Sequence, residues 1–368
     1  MTLVVFPFKE EAVSIIAANL AIATRHTRVR EVWAVSAGTG RTMDEVAEVA
    51  AQLASGSVPV RVFPQARLGT FRPGKGDGMN TAIRMAAERG FERTHFYDAD
   101  ITNFDPSWID GAEAAAERGF GVVRHRFPRA ATDAMVTWMI TRPSLARLFP
   151  GTILPRIGQP LGGELALNHA TVTALAEDPF VVARSDWGID TLITHATTIE
   201  GEPIYEHNVA DGKRHALYGS LTELRPMVVE CLDAVRSLRG RPSVTATLDA
   251  DPPADAPADL KTTVGYDEEA TLAELGDSPG NAERVVLESL GFDPGHLGDI
   301  DENRWGNALD LLLADFRLGD PGWETAVFRL WAHRVLHYTR NHAVRGYDHA
   351  MAYLEATIRQ YETTADHH

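Results

Sequence analysis

The chain has 368 residues, 44% of them hydrophobic, one cysteine and a formal charge of −16. That length suits one large domain plus a smaller one, and the charge argues against nucleic acid as the main partner, because phosphate backbones need a basic footprint. No uncharged apolar run is long enough to span a membrane, and a single cysteine, Cys231, excludes a disulfide framework and reads as a core residue among apolar helical neighbours.

The opening Met1-Thr2-Leu3-Val4-Val5-Phe6-Pro7-Phe8-Lys9 lacks a basic leader region and a small-residue cleavage site. It reads as the first strand of a cytoplasmic protein. Residues 3–6 predict a central strand, and Ile15, Ile16, Leu20 and Ile22 recur at helical spacing across 11–25. A strand near 29–36, a helix near 42–54, a strand at 58–63, a glycine-rich loop and a helix near 77–89 follow. Then comes His95-Phe96-Tyr97-Asp98-Ala99-Asp100-Ile101. Strands alternating with helices predict an α/β fold with a mostly parallel sheet. Such sheets deliver the carboxyl ends of their strands to one crevice, which places Phe6-Pro7-Phe8-Lys9 at the same edge as Asp98 and Asp100.

Asp is a poor strand residue, so two of them ending an apolar strand suit a divalent cation bridging to phosphate oxygens. An acidic turn is the plainer alternative. In Leu68-Gly69-Thr70-Phe71-Arg72-Pro73-Gly74-Lys75-Gly76-Asp77-Gly78-Met79-Asn80, glycine and positive charge precede a helix, which suits backbone amides approaching a diphosphate. A flexible surface loop is the alternative. The spacing is neither that of a Walker A loop nor that of the Rossmann fingerprint. Only four lysines occur, Lys9, Lys75, Lys213 and Lys261, and three fall inside these motifs. A compact ammonium suits a phosphate.

A helix near 106–118 and a strand at 119–127 lead to Phe127-Pro128-Arg129-Ala130-Ala131-Thr132-Asp133, where a helix is expected to start at Thr132 or Asp133. Arg129, with Thr137, is either a clamp for a small carboxylate or an exposed arginine beside an ordinary cap. Gln159-Pro160-Leu161-Gly162-Gly163-Glu164 reads as a close-approach turn, and Ser185-Asp186-Trp187-Gly188-Ile189-Asp190 as a helix start with two carboxylates in its first turn. His215, in Asp211-Gly212-Lys213-Arg214-His215, is either a metal ligand or a loop histidine. A helical stripe over 221–238, a Pro/Ala/Asp-rich linker or long loop over 240–262, and aromatic stripes Trp323–Val335 and Tyr347–Tyr361 complete the chain; the stripes read as core or oligomer interface.

The order of Val-Val-Phe-Pro-Phe-Lys, the glycine-lysine loop, His-Phe-Tyr-Asp-Ala-Asp-Ile-Thr, Phe-Pro-Arg-Ala-Ala-Thr-Asp-Ala-Met, Gln-Pro-Leu-Gly-Gly-Glu and Ser-Asp-Trp-Gly-Ile-Asp-Thr-Leu resembles the mannosylglycerate synthases, retaining glycosyltransferases of family 78 with a GT-A fold. The resemblance covers nearly the whole chain and is weakest over the linker and 270–310. It implies a nucleotide-sugar-binding and catalytic domain over 1–220 and a mainly helical C-terminal region over 221–368. It further implies Asp100 and His215 as ligands of a divalent cation, Mn²⁺ or Mg²⁺ with Ca²⁺ as a further candidate. The donor GDP-mannose is implied to meet Pro7, Phe8, Lys9, Gln65, Lys75, Asp98, Ala99, Asp100, Gly163, Glu164, Asp190 and Tyr218. The acceptor D-glycerate is implied to meet Arg129, Asp133, Ala134, Met135 and Thr137. Asp190, Leu161 and Lys75 are implied at the reacting centre. The product, mannosylglycerate, is a compatible solute, or osmolyte, which suits the acidic composition. One departure stands out: Ala216 follows the histidine where the family has arginine, and Arg214 precedes it. Rival readings are a glucosyl donor or another small hydroxy acid, a sugar-phosphate nucleotidyltransferase, and a silent nucleotide-sugar-binding module. A homodimer through the C-terminal helices is the partner expected beyond the substrates.

Overall fold

A computed structural model describes residues 1–53, 56–216, 218–242, 246–276 and 278–365. Position 54 of the expected second helix, Leu217 and positions 243–245 of the expected linker lie outside the described residues. Contacts divide the chain into two compact units that interleave in sequence: Met1–Pro128, Ile157–Ala216 and Val244–Asp255 form the first, and Arg129–Arg156, Leu217–Ser243 and Ala256–His368 the second.

The first unit is built on one sheet. Its strands are β1 (Thr2–Phe8), β2 (Val29–Ser36), β3 (Val60–Pro64), β4 (Arg93–Phe96), β5 (Val122–Arg126), β6 (Leu165–Asn168), β7 (Ile204–Asn208) and β8 (Leu248–Ala250), in the spatial order β3-β2-β1-β4-β6-β5-β7-β8. All neighbours are parallel except β6, which runs against both β4 and β5. This single reversal matters for the site. Leu165, the first residue of β6, pairs with Phe96 and with Arg124, so the turn before β6, rather than after it, arrives at the edge where β4 ends.

The central strands are apolar because both faces are covered: Leu3, Val4, Val5, Phe6, Val32, Trp33, Ala34 and Val35 are all fully buried. Helices Val13–Arg25, Arg41–Leu53, Lys75–Arg89 and Pro106–Glu117 fall close to the expected ranges. Residues 246–262 carry more regular structure than a linker. They contain β8, and Asp251 just beyond it accepts from the His207 ring at 2.8 Å, from the Asn208 amide at 2.9 Å and from the Tyr205 hydroxyl. These bonds explain why a proline-rich segment follows β7 instead of hanging free.

In the second unit the helices Arg225–Arg236, Glu302–Asp315, Pro321–Asn341 and Tyr347–Ala365 form an apolar interior. Trp305, Trp331, Val335, Leu354, Ile358 and Tyr361 are buried there, so the aromatic stripes serve as core within this unit. Cys231 is buried on the first of these helices. The helix expected from Thr132 or Asp133 starts later: Ala134 has φ +57°, and regular helical turns begin only at Met135, passing through a π-helix at Thr137–Thr141 into Arg142–Leu148. Among the described residues no helix is long and apolar enough to cross a membrane.

A buried ion cluster ties the helix Pro106–Glu117 to β1 and β4. Glu113 accepts from the Thr2 hydroxyl at 2.7 Å, from Arg93 at 2.8 Å and from the His95 ring at 3.1 Å, while the Tyr97 hydroxyl lies 3.0 Å from the other His95 nitrogen. Burial alone would raise the Glu113 carboxyl, but the His95 and Thr2 hydrogen bonds and the charges of His95 and Arg93 bring it from its ordinary 4.5 down to about 2. A carboxyl with a depressed folded pKa contributes stability that is complete above the unfolded value and is lost as pH falls through the folded one. Glu113 therefore contributes about 3 kcal/mol at neutral pH, lost between about pH 4.5 and 2. Glu113→Gln is expected to lower stability at pH 7 and to flatten the acid limb in urea denaturation; an acid limb as steep as wild type would reject this role.

Candidate active site

The candidate site is assembled from five segments of the first unit. Lys75 opens the helix Lys75–Arg89. Its ammonium lies 3.0 Å from Asp98 Oδ1 and 3.0 Å from Asp190 Oδ2. Asp98 follows β4 by two residues, and Asp190 sits in the first turn of the helix Ile189–Ile199. Lys213, beyond β7, reaches Asp98 Oδ2 and Glu164 Oε1, each at 2.6 Å. Glu164 immediately precedes β6. Two ammonium groups thus thread three carboxylates, and three of the five side chains, Asp190, Lys213 and Glu164, are at least nine-tenths buried; Lys75 is 11% exposed and Asp98 27%.

Charge sorts these acids apart. Burial would raise Asp98, yet the Lys213 and Lys75 ammonium groups hold it well below the ordinary carboxylate range. Glu164 and Asp190 are raised, first by burial and then by the charge of Asp98. Burial disfavours the charge on Lys75, but Asp190, Asp98 and Glu164 outweigh it and hold Lys75 protonated beyond its ordinary range. Gly163 is required by this crowding. A Cβ there would lie 2.5 Å from Lys75 Nζ and 2.6 Å from Asp98 Oδ1.

The remaining expected donor residues of this unit are near these segments. Gly78 packs against Gln65 and Pro7, with distances of 3.2 and 3.6 Å from where its Cβ would be. Phe8 is buried and Lys9 exposed. Ala99 is buried, and its carbonyl and that of Ile101 accept from the buried Asn19 amide at 3.3 and 3.0 Å; these bonds fix the backbone that carries Asp98 and Asp100. Leu161 is half-buried. Its turn is held by Arg124, a guanidinium inside β5 that donates to the carbonyls of Gln159 at 3.0 Å and Gly162 at 3.2 Å. Burial lowers the Arg124 pKa.

The segment bearing His215 is stitched to the Asp-x-Asp loop. Thr102 N donates to Arg214 O at 2.8 Å, Asn103 Nδ2 to Gly212 O at 2.9 Å, and Arg214 N to Asn103 Oδ1 at 2.9 Å. His215 Nδ1 lies 2.8 Å from the Ala216 carbonyl, which can only accept, so Nε2 carries the lone pair that a metal uses. Asp100 Oδ1 is buried and accepts no hydrogen bond from the described residues. That donor set fits a hard divalent cation, which takes one or two protein ligands and completes its shell with phosphate oxygens and water. Among the described residues no group of three or more His, Cys, Asp or Glu side chains forms a metal cage.

The glycine-rich loop packs closely against residues 183–185. A Cβ on Gly69 would lie 2.6 Å from Ala183 O, and one on Gly76 2.4 Å from Arg184 O. Thr70 N donates to Ala183 O at 2.8 Å, and Asn80 Nδ2 to Val181 O at 2.9 Å and Arg184 O at 3.1 Å. The buried Asp77 gathers the loop through the amides of Leu68 and Gly69 and through Arg67. These two glycines let two stretches of backbone touch. Asp186 differs from expectation: it lies ahead of the helix Ile189–Ile199 and accepts from Gly188 N at 2.9 Å.

Arg129, Asp133, Ala134, Met135, Thr137 and Tyr218 belong to the second unit. Arg129 pairs with Asp133 at 3.0 Å, and Asp133 Oδ1 accepts from Ala134 N at 2.6 Å. Arg129, Asp133, Ala134 and Tyr218 are half-buried, whereas Met135 and Thr137 are closed to solvent. Sequence reasoning missed three groups. Lys213 was one more motif lysine with no partner, Arg124 a charge inside an apolar strand, and Glu11 an acid following Phe-Pro-Phe-Lys. Burial raises the Glu11 carboxyl, and the charges of Asp100 and Asp98 raise it further.

A mostly parallel sheet with an Asp-x-Asp loop and a lysine–carboxylate cluster beside it defines a glycosyltransferase of the GT-A class. Glucosyl-3-phosphoglycerate synthase from Mycobacterium tuberculosis shares this fold. The structure of that enzyme with Mn²⁺, uridine diphosphate and phosphoglyceric acid aligns at a TM-score of 0.53 and 22% identity, over 66% of this chain and 80% of the other. Its complex with Mg²⁺ and uridine diphosphate aligns equally well, at 0.53 and 22%. Sequence narrows the class. Residues 2–237 match the mannosylglycerate synthase GT-domain model, and 260–358 the mannosylglycerate synthase C-terminal domain model. Mannosylglycerate synthase of Rhodothermus marinus is 45% identical over 99% of this chain and 95% of its own length, and that of Selaginella moellendorffii 40% identical over 97% and 89%. The chain belongs to the mannosylglycerate synthase family.

Gly163→Ala is expected to preserve the fold and reduce glycosyl transfer by about two orders of magnitude or more, since even a displacement of about 1 Å costs that much. Retained melting temperature with wild-type turnover would show that Lys75 and Asp98 tolerate the displacement.

Proposed function

We propose that the protein transfers mannose from GDP-mannose to the 2-hydroxyl of D-glycerate with retention, giving 2-O-α-mannosylglycerate. The observation that carries the reading is the Lys75–Asp98–Asp190 contact beside Asp100, within a chain 45% identical to a mannosylglycerate synthase. Asp98 and Asp100 meet the nucleotide sugar, with Pro7, Phe8, Lys9, Gln65, Ala99, Gly163 and Glu164 completing the donor pocket. Asp100 and His215 would hold Mn²⁺ or Mg²⁺; M. tuberculosis glucosyl-3-phosphoglycerate synthase, which shares the fold, was crystallised with either ion. Bound there, the cation offsets the charge of the departing diphosphate.

The protein's own groups do the rest. Lys75 is held protonated and stabilises the developing negative charge as the C1–O bond to the diphosphate breaks. Arg129 holds the glycerate carboxylate, a planar group that suits a guanidinium, and Asp133, Ala134, Met135 and Thr137 complete the acceptor pocket. The glycerate 2-oxygen bonds to C1 on the face the nucleotide leaves, and its proton passes to the departing phosphate oxygen. Leu161 presents its backbone to the anomeric carbon. A covalent intermediate would need a carboxylate on the opposite face. Asp190 is the one candidate, and its Oδ2 already contacts Lys75, which makes it a poor nucleophile and favours front-face substitution. A dimer through the helical C-terminal region remains part of the proposal, as does a cytoplasmic location.

Purified protein with GDP-mannose, D-glycerate and Mn²⁺ is expected to release GDP and form α-mannosylglycerate; reaction only with a glucosyl donor or another acceptor would reject this substrate pair, and release of pyrophosphate would mark a nucleotidyltransferase. Asp100→Ala is expected to abolish turnover and metal-dependent GDP binding measured by calorimetry. Activity within a few-fold of wild type would place the cation elsewhere.

A further inference from the structure

The backbone from Ala131 to Met139 adopts a form that its own sequence does not favour. Ala134 is the one non-glycine residue with positive φ among the described residues, at +57°, a region that side chains disfavour and that clusters at functional sites. A π-helix follows at once over Thr137–Thr141, a widening also frequent at such sites. In an α-helix the Met139 carbonyl would accept from residue 143. That residue is Pro143, which has no N–H.

Donors to this stretch of backbone come from far along the chain. Trp305 Nε1 donates to Met139 O at 2.6 Å, the Tyr338 hydroxyl to Ala131 O at 2.8 Å, and Trp331 Nε1 to Met135 O at 3.4 Å. The three carbonyls are four residues apart and bracket both Ala134 and Thr137. All three aromatic side chains are fully buried, so water cannot substitute for them. The Gly265 amide adds a bond to the Thr132 hydroxyl at 2.8 Å, and a Cβ at Gly265 would lie 2.8 Å from Thr132 O.

We infer that Tyr338, Trp331 and Trp305 are positioning residues for the acceptor, holding the 131–139 backbone in the form in which Asp133 and Ala134 line the pocket and Arg129 grips a small carboxylate. The inference rests on the acceptor pocket proposed above. None of the three needs to touch substrate. Trp305 supplies the donor that Pro143 lacks, and Tyr338 and Trp331 bond the carbonyls on either side of Ala134, so the three together keep the irregular backbone from relaxing into a regular helix. Loss of a donor lets the segment drift by a fraction of an ångström, which a bidentate guanidinium–carboxylate contact does not tolerate.

The test is steady-state kinetics of the full chain with GDP-mannose and D-glycerate. Tyr338→Phe keeps the ring and removes the hydroxyl. It is expected to raise the KM for D-glycerate by about five- to tenfold, the usual scale for one buried hydrogen bond, while the KM for GDP-mannose and the kcat at saturating glycerate stay within about twofold. Trp331→Phe, whose bond is the longest of the three, carries the same expectation in direction and serves if Tyr338→Phe does not fold. Tyr361→Phe is the control, since it loses a bond of the same kind, to Glu302 O at 2.6 Å; it is expected to lower the melting temperature without moving the KM for glycerate. A wild-type KM for glycerate in both Tyr338→Phe and Trp331→Phe, or an equal rise in Tyr361→Phe, overturns the inference. Arg129→Ala runs in parallel. If it leaves the KM for glycerate unchanged, the acceptor pocket itself is misplaced and the inference falls with it; if it raises that KM while the Tyr338 and Trp331 variants do not, only the positioning role is overturned.

Discussion

The contact between two lysine ammonium groups and three buried carboxylates governs the first unit. Lys75 and Lys213 share Asp98, and each has a second acid, Asp190 and Glu164 respectively. Removing Lys75 strips the buried Asp190 of its ammonium partner in this cluster, and removing Lys213 does the same to Glu164, which is far more costly than breaking an exposed pair. The five residues come from a helix start, two loops after strands, a turn before a strand and a second helix start. Their mutual neutralisation therefore fixes where those five segments end. The same balance separates the acids by function: Asp98 stays ionised, whereas Glu164 and Asp190 are raised by burial and by Asp98. Pairs of groups pushed apart in this way mark sites of chemistry.

Much of this was legible from residue order. The apolar runs that become β1 and β2, the helices between them and the carboxylates after Phe96 follow from periodicity and from the rule that parallel strands deliver their ends to one edge. What was not legible depended on partners distant in sequence. Nothing local to Lys213 says that it reaches Asp98, 115 residues away. The reversal of β6 is equally silent in a four-residue strand, yet it is the reason Glu164 meets Asp98 at all. β8 was hidden by prolines whose expected disorder is overruled by Asp251 and its three hydrogen-bond donors. Arg124 offered a usable signal, because a charge within an apolar strand needs a buried acceptor, and it has two carbonyls of the Leu161 turn.

The second unit shows the same limit differently. Its aromatic stripes were readable as buried surface, but stripe arithmetic cannot separate a side chain that only fills space from one that also donates a hydrogen bond. Trp305 and Tyr338 do both. Pro143 was the local hint that the helix after Ala134 would be irregular, since proline removes one donor from the ladder.

The contacts of Gly69 and Gly76 with the backbone of 183–185 bear on the thermodynamics of donor capture. Glycine-rich loops that wrap phosphates are usually ordered by their ligand and give up chain entropy on binding. Here the protein's own backbone supplies that ordering, since the loop is bonded to Ala183 and Arg184 through Thr70 and Asn80. Association can then proceed with little conformational penalty and a heat-capacity change set by the ligand's own burial, as in a preorganised receptor.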